Sequence, residues 1–526
     1  MTNSLREQVS ELWAIRGAAL LPVDLGRGGL VASAHDSVDV ALVLAPDAVV
    51  VVRGDRIVEA GDHAEVVRRH SAGHDSAGRR PIRAMVADDA DACGGAGVAQ
   101  GCGATAAPDR AVAVAAATAR RWDGLILPGL VDIHCHGGGG QSFPDATTEA
   151  AAEAAVFEHR RHGTTSLVAS LVTDTTERLM SQSQLLAGLG QRSLLEGIHF
   201  EGPFLSARRA GAQDPGKMAL PDPALVLAAR RHSQGWLATM TLAPELPNAI
   251  MPAAPDASAE QQDRAEDAAP AQLDAPAVDS MAVRPRHMSV VDALAMIGAV
   301  PSFGHTDCSA EQMAAAVDQA HAAFARYGAP GRRPTATHLF NGMRPIHHRD
   351  PGPAMEALAQ AAAGRMVVEL VADGVHLAPQ LVKEVFELVG WPGIALVTDA
   401  MAAAGMPDGE YQLGPAAVRV SGGVARLADA DSIAGGTAHL IDVVRCVTRA
   451  SGVALEAAVA AASLTPARVL GRSDRIGSLA PGRRADLILA DADLSPVEVY
   501  AAGARVPASA AASDPDPDHG ARSAAD

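Results

Sequence analysis

The sequence predicts an α/β protein: a (β/α)8 TIM-like barrel joined to a small β-sandwich domain formed from both chain ends. Three observations carry this expectation. Through the middle of the chain, short apolar runs alternate with amphipathic stretches, the pattern of βα units around a parallel sheet. The runs number about eight, enough to close a barrel. Outside this region, strand-like runs stand near both ends of the chain.

Residues 1–69 are assigned to the N-terminal part of the small β domain, with ALVLAPDAVVVVRGDRIVEAG (41–61) as its strand signal. Residues 70–122 read as a low-complexity insertion rich in Ala, Gly and Asp. The barrel is assigned to 123–404. Its strands are GLVDIHC (129–135), TTSLVAS (164–170), LEGIHFEG (195–202), WLATMTLAP (236–244), AVPSFGH (299–305), TATHLFN (335–341), MVVELVADG (366–374) and GIALVTDA (393–400). Helices are predicted at 147–163, 224–234, 311–328 and 378–390, where apolar residues recur at three- and four-residue spacing. A Pro/Ala/Asp tract at 248–286 interrupts the barrel before its fifth strand. Residues 405–504 hold the last barrel elements and the C-terminal part of the small β domain, with VRVSGGVARL (418–427) and ADLILADADLSPVEVYAAGARV (485–506) as strands. The tail, 505–526, shares the composition of the two insertions. None of these three segments carries enough apolar side chain to offset its ordering entropy, so all three are expected to be disordered or lid-like.

A chain of 526 residues with 48% hydrophobic and 20% charged residues is a globular protein with a substantial core. Its net charge of -18 argues against a nucleic-acid-binding surface, which needs a basic stripe to neutralise phosphates. The same charge leaves a small anionic substrate open, because one local arginine or histidine pair can hold a phosphate. Cys93, Cys102, Cys135, Cys308 and Cys446 include no close CxxC pair and read as free thiols of a reducing compartment. No stretch approaches the ~20 apolar residues that cross a membrane, and MTNSLREQVSELWAIRG lacks a basic-then-apolar signal pattern. The expectation is a cytoplasmic protein without a membrane partner.

Polar residues stand at the C-terminal ends of nearly all the strand candidates, where a barrel keeps its active site. His134 and His136 alternate on one strand, so both imidazoles can face one metal. Glu201 ends an apolar strand before Gly-Pro, and such a carboxylate is costly to bury unless paired or metal-bound. His305 and His338 each close a strand of their own. A lone strand-end histidine is usually a hydrogen-bonded core residue; two of them beside a glutamate and HxH point to a metal. Asp399, after the eighth strand, reads either as a helix N-cap or as a general base beside a metal-activated water. Arg349 and His376 are candidate phosphate contacts, Arg349 for its planar fork.

These residues lie in longer runs, LPGLVDIHCHGGGG, HFEGPFLSARRAGAQDPGK, GHTDCS, THLFNGMRPIHHRDPG, VADGVHLAP and LVTDAMAAAGMPDGEY. In them the chain resembles the N-acetylglucosamine-6-phosphate deacetylases of the amidohydrolase superfamily. The resemblance implies hydrolysis of N-acetyl-D-glucosamine 6-phosphate to D-glucosamine 6-phosphate and acetate, in amino-sugar catabolism or cell-wall recycling. It implies Glu201, His305 and His338 as ligands of a principal divalent metal, Zn or Fe, and Asp399 as general acid/base. His134 and His136 match a pair that supports a second metal in some members, giving one or two ions per subunit. Asn341, Gly342, Arg349 and His376 would bind the sugar phosphate, with the backbone at Ile433, Ala434 and Gly435 closing over it. A homodimer is implied, with Arg349 reaching into the neighbouring subunit. Ala212 and Gln213 are placed at the substrate by the same resemblance, but many members carry histidine where this chain has Gln213, which can donate a hydrogen bond without carrying charge.

Two rival readings stand beside this one. Another amidohydrolase, such as a dihydroorotase- or hydantoinase-like cyclic amidase, would bridge its metals with a barrel lysine, and no strand-end lysine is evident here. A nucleobase deaminase fits the phosphate-binding candidates poorly. A non-catalytic sugar-phosphate-binding protein would have no need of every ligand position together with Asp399.

Overall fold

The structure is a computed structural model that describes residues 12–24, 29–30, 40–71, 112, 115–251 and 288–508. Most of 70–122, 248–286 and 505–526, the three expected padded segments, lies outside the described residues, as do Cys93 and Cys102. Both chain ends build the small β domain. The N-terminal part gives β1 (Leu12–Asp24), β2 (Gly29–Leu30), β3 (Val40–Arg53) and β4 (Arg56–Asp62), followed by β5 (Arg120–Pro128).

The barrel begins with β6 (Leu130–Cys135), and a two-residue hairpin, β7 (Gly137–Gly138) and β8 (Gln141–Ser142), follows it. The other barrel strands are β9 (Thr164–Leu171), β10 (Gly197–Glu201), β11 (Leu237–Leu242), β12 (Val300–Phe303), β13 (Thr335–Ala336), β14 (Val367–Leu370) and β15 (Ile394–Leu396). Each pairs in parallel with its neighbours in chain order. The ring closes where β15 returns to β6, through a parallel bridge between Cys135 and Ala400 and through His136 N–H on Ala400 O at 2.7 Å. All eight expected barrel strands are present. The four expected helices appear as Glu149–Arg161, Pro223–His232, Ala310–Arg326 and Pro379–Val389. Three further helices, Thr176–Gln191, Val290–Ile297 and Gly352–Ala362, belong to βα units for which the sequence analysis named no helix. Ser289 and Ser309 start two of the barrel helices with capping boxes, pairing with Asp292 and Gln312.

Two segments differ from the sequence analysis. The run RRWDGLILP, split there between an insertion and the barrel, is β5 of the small domain, parallel to β1 and antiparallel to β19 (Leu487–Ala490). Gly129 separates β5 from β6: a Cβ there would lie 2.2 Å from Thr165 Oγ1, so only glycine lets the chain pass from one sheet to the other. VRVSGGVARL, assigned to the small domain, lies instead in a separate meander of β16 (Gly409–Leu413), β17 (Ala416–Ser421) and β18 (Val424–Leu427). Its Gly422-Gly423 turn has φ of 58° and 74°, the hand that closes a two-residue hairpin. Only one face of this meander is apolar, and it packs Leu413, Val418, Val420 and Ala425 against Val172 and Met401–Ala403 at the barrel mouth.

The small domain ends with β19, β20 (Pro496–Ala501) and β21 (Ala504–Arg505), giving the sheet order β21-β20-β19-β5-β1-β3-β4 with β2 beside β1. Alternate residues feed separate cores. Ile15, Val50, Val52, Ile126 and Leu487 pack on one face; Val49 and Val51 meet Val66 and Ala116 on the other. Leu127 and Ile488 turn into the barrel core and join the two parts.

Candidate active site

Strand alternation decides which side chains enter the barrel. On β6, Asp132 and His134, with His136 just beyond, point inward. Between them Cys135 faces the helix Glu149–Arg161, its Sγ 3.3 Å from His159 Nε2. On β10, His199 and Glu201 point inward while Phe200 joins the core. His305, His338 and Asp399 follow β12, β13 and β15 with φ of 46°, 27° and 48°. Left-handed backbone costs a non-glycine residue about 1–2 kcal/mol, and here it recurs at three residues of one cluster, where function concentrates such strain. Bonds hold these turns: His305 Nδ1 lies 2.8 Å from Arg209 O, and Asp399 N–H donates to His134 O at 2.9 Å.

Glu201 is the hub. Its Oε1 lies 3.0 Å from His305 Nε2 and 2.8 Å from His338 Nε2. Its Oε2 lies 3.1 Å from His136 Nε2. Asp399 Oδ1 stands 3.4 Å from His134 Nε2 and 3.3 Å from His136 Nε2. Burial works to raise the Glu201 pKa, but the four surrounding imidazoles outweigh it and hold the carboxyl well below the usual range. Asp399 is likewise held low against its burial, first by His134 and then by His136.

The donor set fits a divalent cation. His134 and His136 face each other through Nε2 atoms 3.2 Å apart, and His305 and His338 do the same at 3.1 Å. Convergent imidazole nitrogens backed by carboxylates are the arrangement that a cation relieves. Two groups share Glu201: His134, His136, Glu201 and Glu201, His305, His338, in each of which the donor atoms lie within 4.8 Å of one another. Each offers two nitrogens and an oxygen, a donor set of the size that catalytic zinc sites draw from protein.

Beneath the cluster lies a polar layer that the sequence reading did not single out. Glu369 Oε2 stands 3.1 Å from His134 Nδ1, so a carboxylate fixes that imidazole from behind. Glu369 Oε1 accepts from Thr335 Oγ1 at 3.1 Å. Asp132 accepts from Thr398 Oγ1 at 2.6 Å; burial, the dominant influence, raises its carboxyl to about 6. His199 sits between Ser170 and Thr241 at 2.9 Å each, and burial holds it well below 6.5. Glu369 was open to the reasoning applied to Glu201, a carboxylate inside an apolar run; Asp132 alternates with His134 and His136.

A cavity of 270 Å³ opens above the cluster. His136, Glu201, Ala212, Gln213, His305, His338, Asn341, Gly342, His376, Asp399, Ile433 and Gly435 line it, joined by Gly211, Leu413 and Ser432, which the sequence reading did not name. Gly342 has φ of 61°, and a Cβ there would lie 2.9 Å from His305 Nδ1. His376 Nδ1 lies 2.9 Å from Asp373 Oδ2; this partner outweighs burial and raises the imidazole pKa. Ala434 turns its side chain into the meander core, its N–H bonded to Ala425 O. His134 lies just below the cavity floor. Arg349 stands apart, exposed on a loop where its N–H meets His347 Nδ1 at 3.3 Å. Gln213 is buried, with its amide bonded to Thr173 and Glu201.

A barrel with histidines, a glutamate and an aspartate at its strand ends defines a class: residues 125–514 match the amidohydrolase family, and the chain belongs to it. It is 31% identical to the N-acetylglucosamine-6-phosphate deacetylase of Lysinibacillus sphaericus over 378 residues, 70% of this chain and 82% of that protein. The corresponding Danio rerio enzyme is 31% identical over 392 residues, 73% of this chain and 84% of that protein. A mutant of the Mycobacterium smegmatis N-acetyl-D-glucosamine-6-phosphate deacetylase, solved with N-acetyl-D-glucosamine-6-phosphate, superposes with a TM-score of 0.67 at 31% identity, covering 94% of this chain and 100% of that one. Within the amidohydrolases the chain therefore falls among the N-acetylglucosamine-6-phosphate deacetylases.

Proposed function

We propose that the strand-end cluster deacetylates N-acetyl-D-glucosamine 6-phosphate to D-glucosamine 6-phosphate and acetate, a reaction of amino-sugar metabolism. The observation that carries this reading is the convergence of His134, His136, Glu201, His305, His338 and Asp399 at one end of the barrel, in a chain of this family. Glu201, His305 and His338 would hold a principal divalent cation, Zn or Fe, and His134 and His136 would hold a second together with Glu201. Such a cation supplies a lowered pKa for water, toward ~7, and polarises the acetamide carbonyl.

The protein's own groups do the rest. Asp399, ionised in the cluster, takes a proton from the attacking water as the new C–O bond forms. It returns that proton to the nitrogen as the C–N bond breaks, so acetate and the free amine leave together. His376, braced by Asp373, and Asn341 hold the sugar phosphate, and the backbone at Ile433 and Gly435 covers it. Remote phosphate binding thereby positions the acetamide. Arg349 lies off the cavity of its own chain, which supports a role across the interface of a homodimer. Among the described residues, Cys135, Cys308 and Cys446 are free thiols and no helix is long and apolar enough to cross a membrane; both support a cytoplasmic location.

The test is a substrate panel on metal-loaded protein. Acetate release from N-acetyl-D-glucosamine 6-phosphate is expected. Ring opening of a cyclic amide or ammonia release from a nucleobase, without acetate release, would replace this reading with another amidohydrolase; sugar-phosphate binding with no turnover under any divalent metal would replace it with a binding protein.

A further inference from the structure

Gln213 makes bonds that its place in AGAQDP did not suggest. Its Oε1 accepts the Thr173 backbone N–H at 2.8 Å, and its Nε2 donates to Glu201 Oε2 at 2.6 Å. Chemistry fixes which way the amide points: a peptide N–H only donates and a carboxylate only accepts, so oxygen faces Thr173 and nitrogen faces Glu201. Thr173 closes a triangle, its Oγ1 donating to the Glu201 carbonyl at 2.9 Å. Gly202 makes room for that hydroxyl. Its φ is 94°, and a Cβ there would lie 2.1 Å from Thr173 Oγ1. Two other segments of chain, at Thr173 and Gln213, therefore grip one glutamate.

Glu201 is common to both groups of candidate ion-binding residues, with Oε1 on His305 and His338 and 3.8 Å from His134 Nε2, and Oε2 on His136. The last torsion of a glutamate is soft, so nothing intrinsic to the side chain keeps its oxygens divided in this way. We propose that Gln213 is a positioning residue: it fixes the plane of the Glu201 carboxylate and so keeps Oε1 turned to His305 and His338 and Oε2 turned to His136, within the two groups that would hold cations. The proposal rests on the cation-binding reading of the cluster. It departs from the role implied by resemblance, a contact to the substrate's acetamide, because the amide oxygen and one amide proton of Gln213 are already committed within the protein.

Gln213→Leu and Gln213→Met remove both bonds while keeping similar bulk, and Thr173→Val removes the hydroxyl bond alone. Zinc is the probe: its content per chain after dialysis against a weak chelator, and its affinity by competition with a chelating indicator. Thermal unfolding confirms that each variant is folded. Zinc affinity is expected to fall about 10- to 100-fold in the Gln213 variants, with Thr173→Val moving the same way by less. For the zinc-loaded enzyme, kcat should fall while KM for N-acetyl-D-glucosamine 6-phosphate stays within about twofold of wild type. Undiminished zinc affinity with a raised KM would overturn the proposal and make Gln213 a substrate contact; zinc affinity and kinetics all at wild-type levels would overturn it as well. A wild-type protein that binds zinc and releases no acetate would instead sink the deacetylase reading, leaving the zinc comparison measurable.

Discussion

Asp399 reaches its place by a left-handed turn directly after the last barrel strand, which brings one carboxylate oxygen within 3.4 Å of two imidazole nitrogens. A group so placed is ionised at neutral pH, the state the proposed general base requires. Replacing it with asparagine keeps the shape and removes the basicity. Asp399→Asn is therefore expected to lower kcat by about 10²–10⁴-fold, the range of general acid–base catalysis, while calorimetry finds sugar-phosphate affinity little changed. Activity near wild type in a pure, metal-loaded variant would remove the assignment. Asp399, His134 and His136 were legible because each has a local signal, a polar residue ending an apolar run or alternating along it. Glu369 and Thr173 were not singled out. Their meaning lies in partners far away in sequence, His134 for one and Gln213 with Glu201 for the other.

The barrel strands could be read because each is a short apolar run that stops at a polar residue. VRVSGGVARL was given to the wrong sheet for a physical reason: alternation shows that one face of a hairpin is buried and says nothing about what covers it. The helix Glu149–Arg161 carries a consequence that only packing reveals. Its His159 is fully buried, with Nε2 2.8 Å from Gly137 O in the hairpin beside the site, and burial, then His439, lowers its pKa to about 4. The fold thus favours the neutral ring. Below the unfolded pKa of about 6.5 the unfolded chain takes up a proton that the native chain refuses, so stability present above that pH is lost as pH falls toward 4. A shift of this size corresponds to about 3 kcal/mol. His159→Gln can still donate to Gly137 O but does not titrate, so its melting temperature should fall less steeply than wild type between pH 6.5 and 4. Parallel slopes for the two proteins would show that His159 takes up its proton in the folded state as well.

Across the whole molecule, barrel and small domain meet at a buried charge cluster as well as through Leu127 and Ile488. Glu196 precedes β10 and is 4% exposed. It pairs with Arg472 and Arg475, and with Arg484 at 2.6 Å; Arg484 in turn holds Asp486 and Ser166. Arg484 and Asp486 lead into β19, so this cluster ties the C-terminal part of the small sheet to the barrel. Removing one partner of a buried ionic network strands the remaining charge and costs about 3–5 kcal/mol. Arg472 and Arg475 keep 29% and 43% of their side chains in water and Arg484 keeps Asp486, which favours the lower end of that range. Glu196→Gln is expected to lower the urea midpoint by a matching amount, with small-domain signals lost before barrel signals. It should leave catalysis intact. Glu196 stands at the opposite end of β10 from Glu201, a separation of about 16 Å along a strand, and the layer between them is closed by its own hydrogen bonds. A kcat that collapsed with no loss of stability would mean that the two ends of the strand are coupled through the barrel, and the division of labour between its faces would fail.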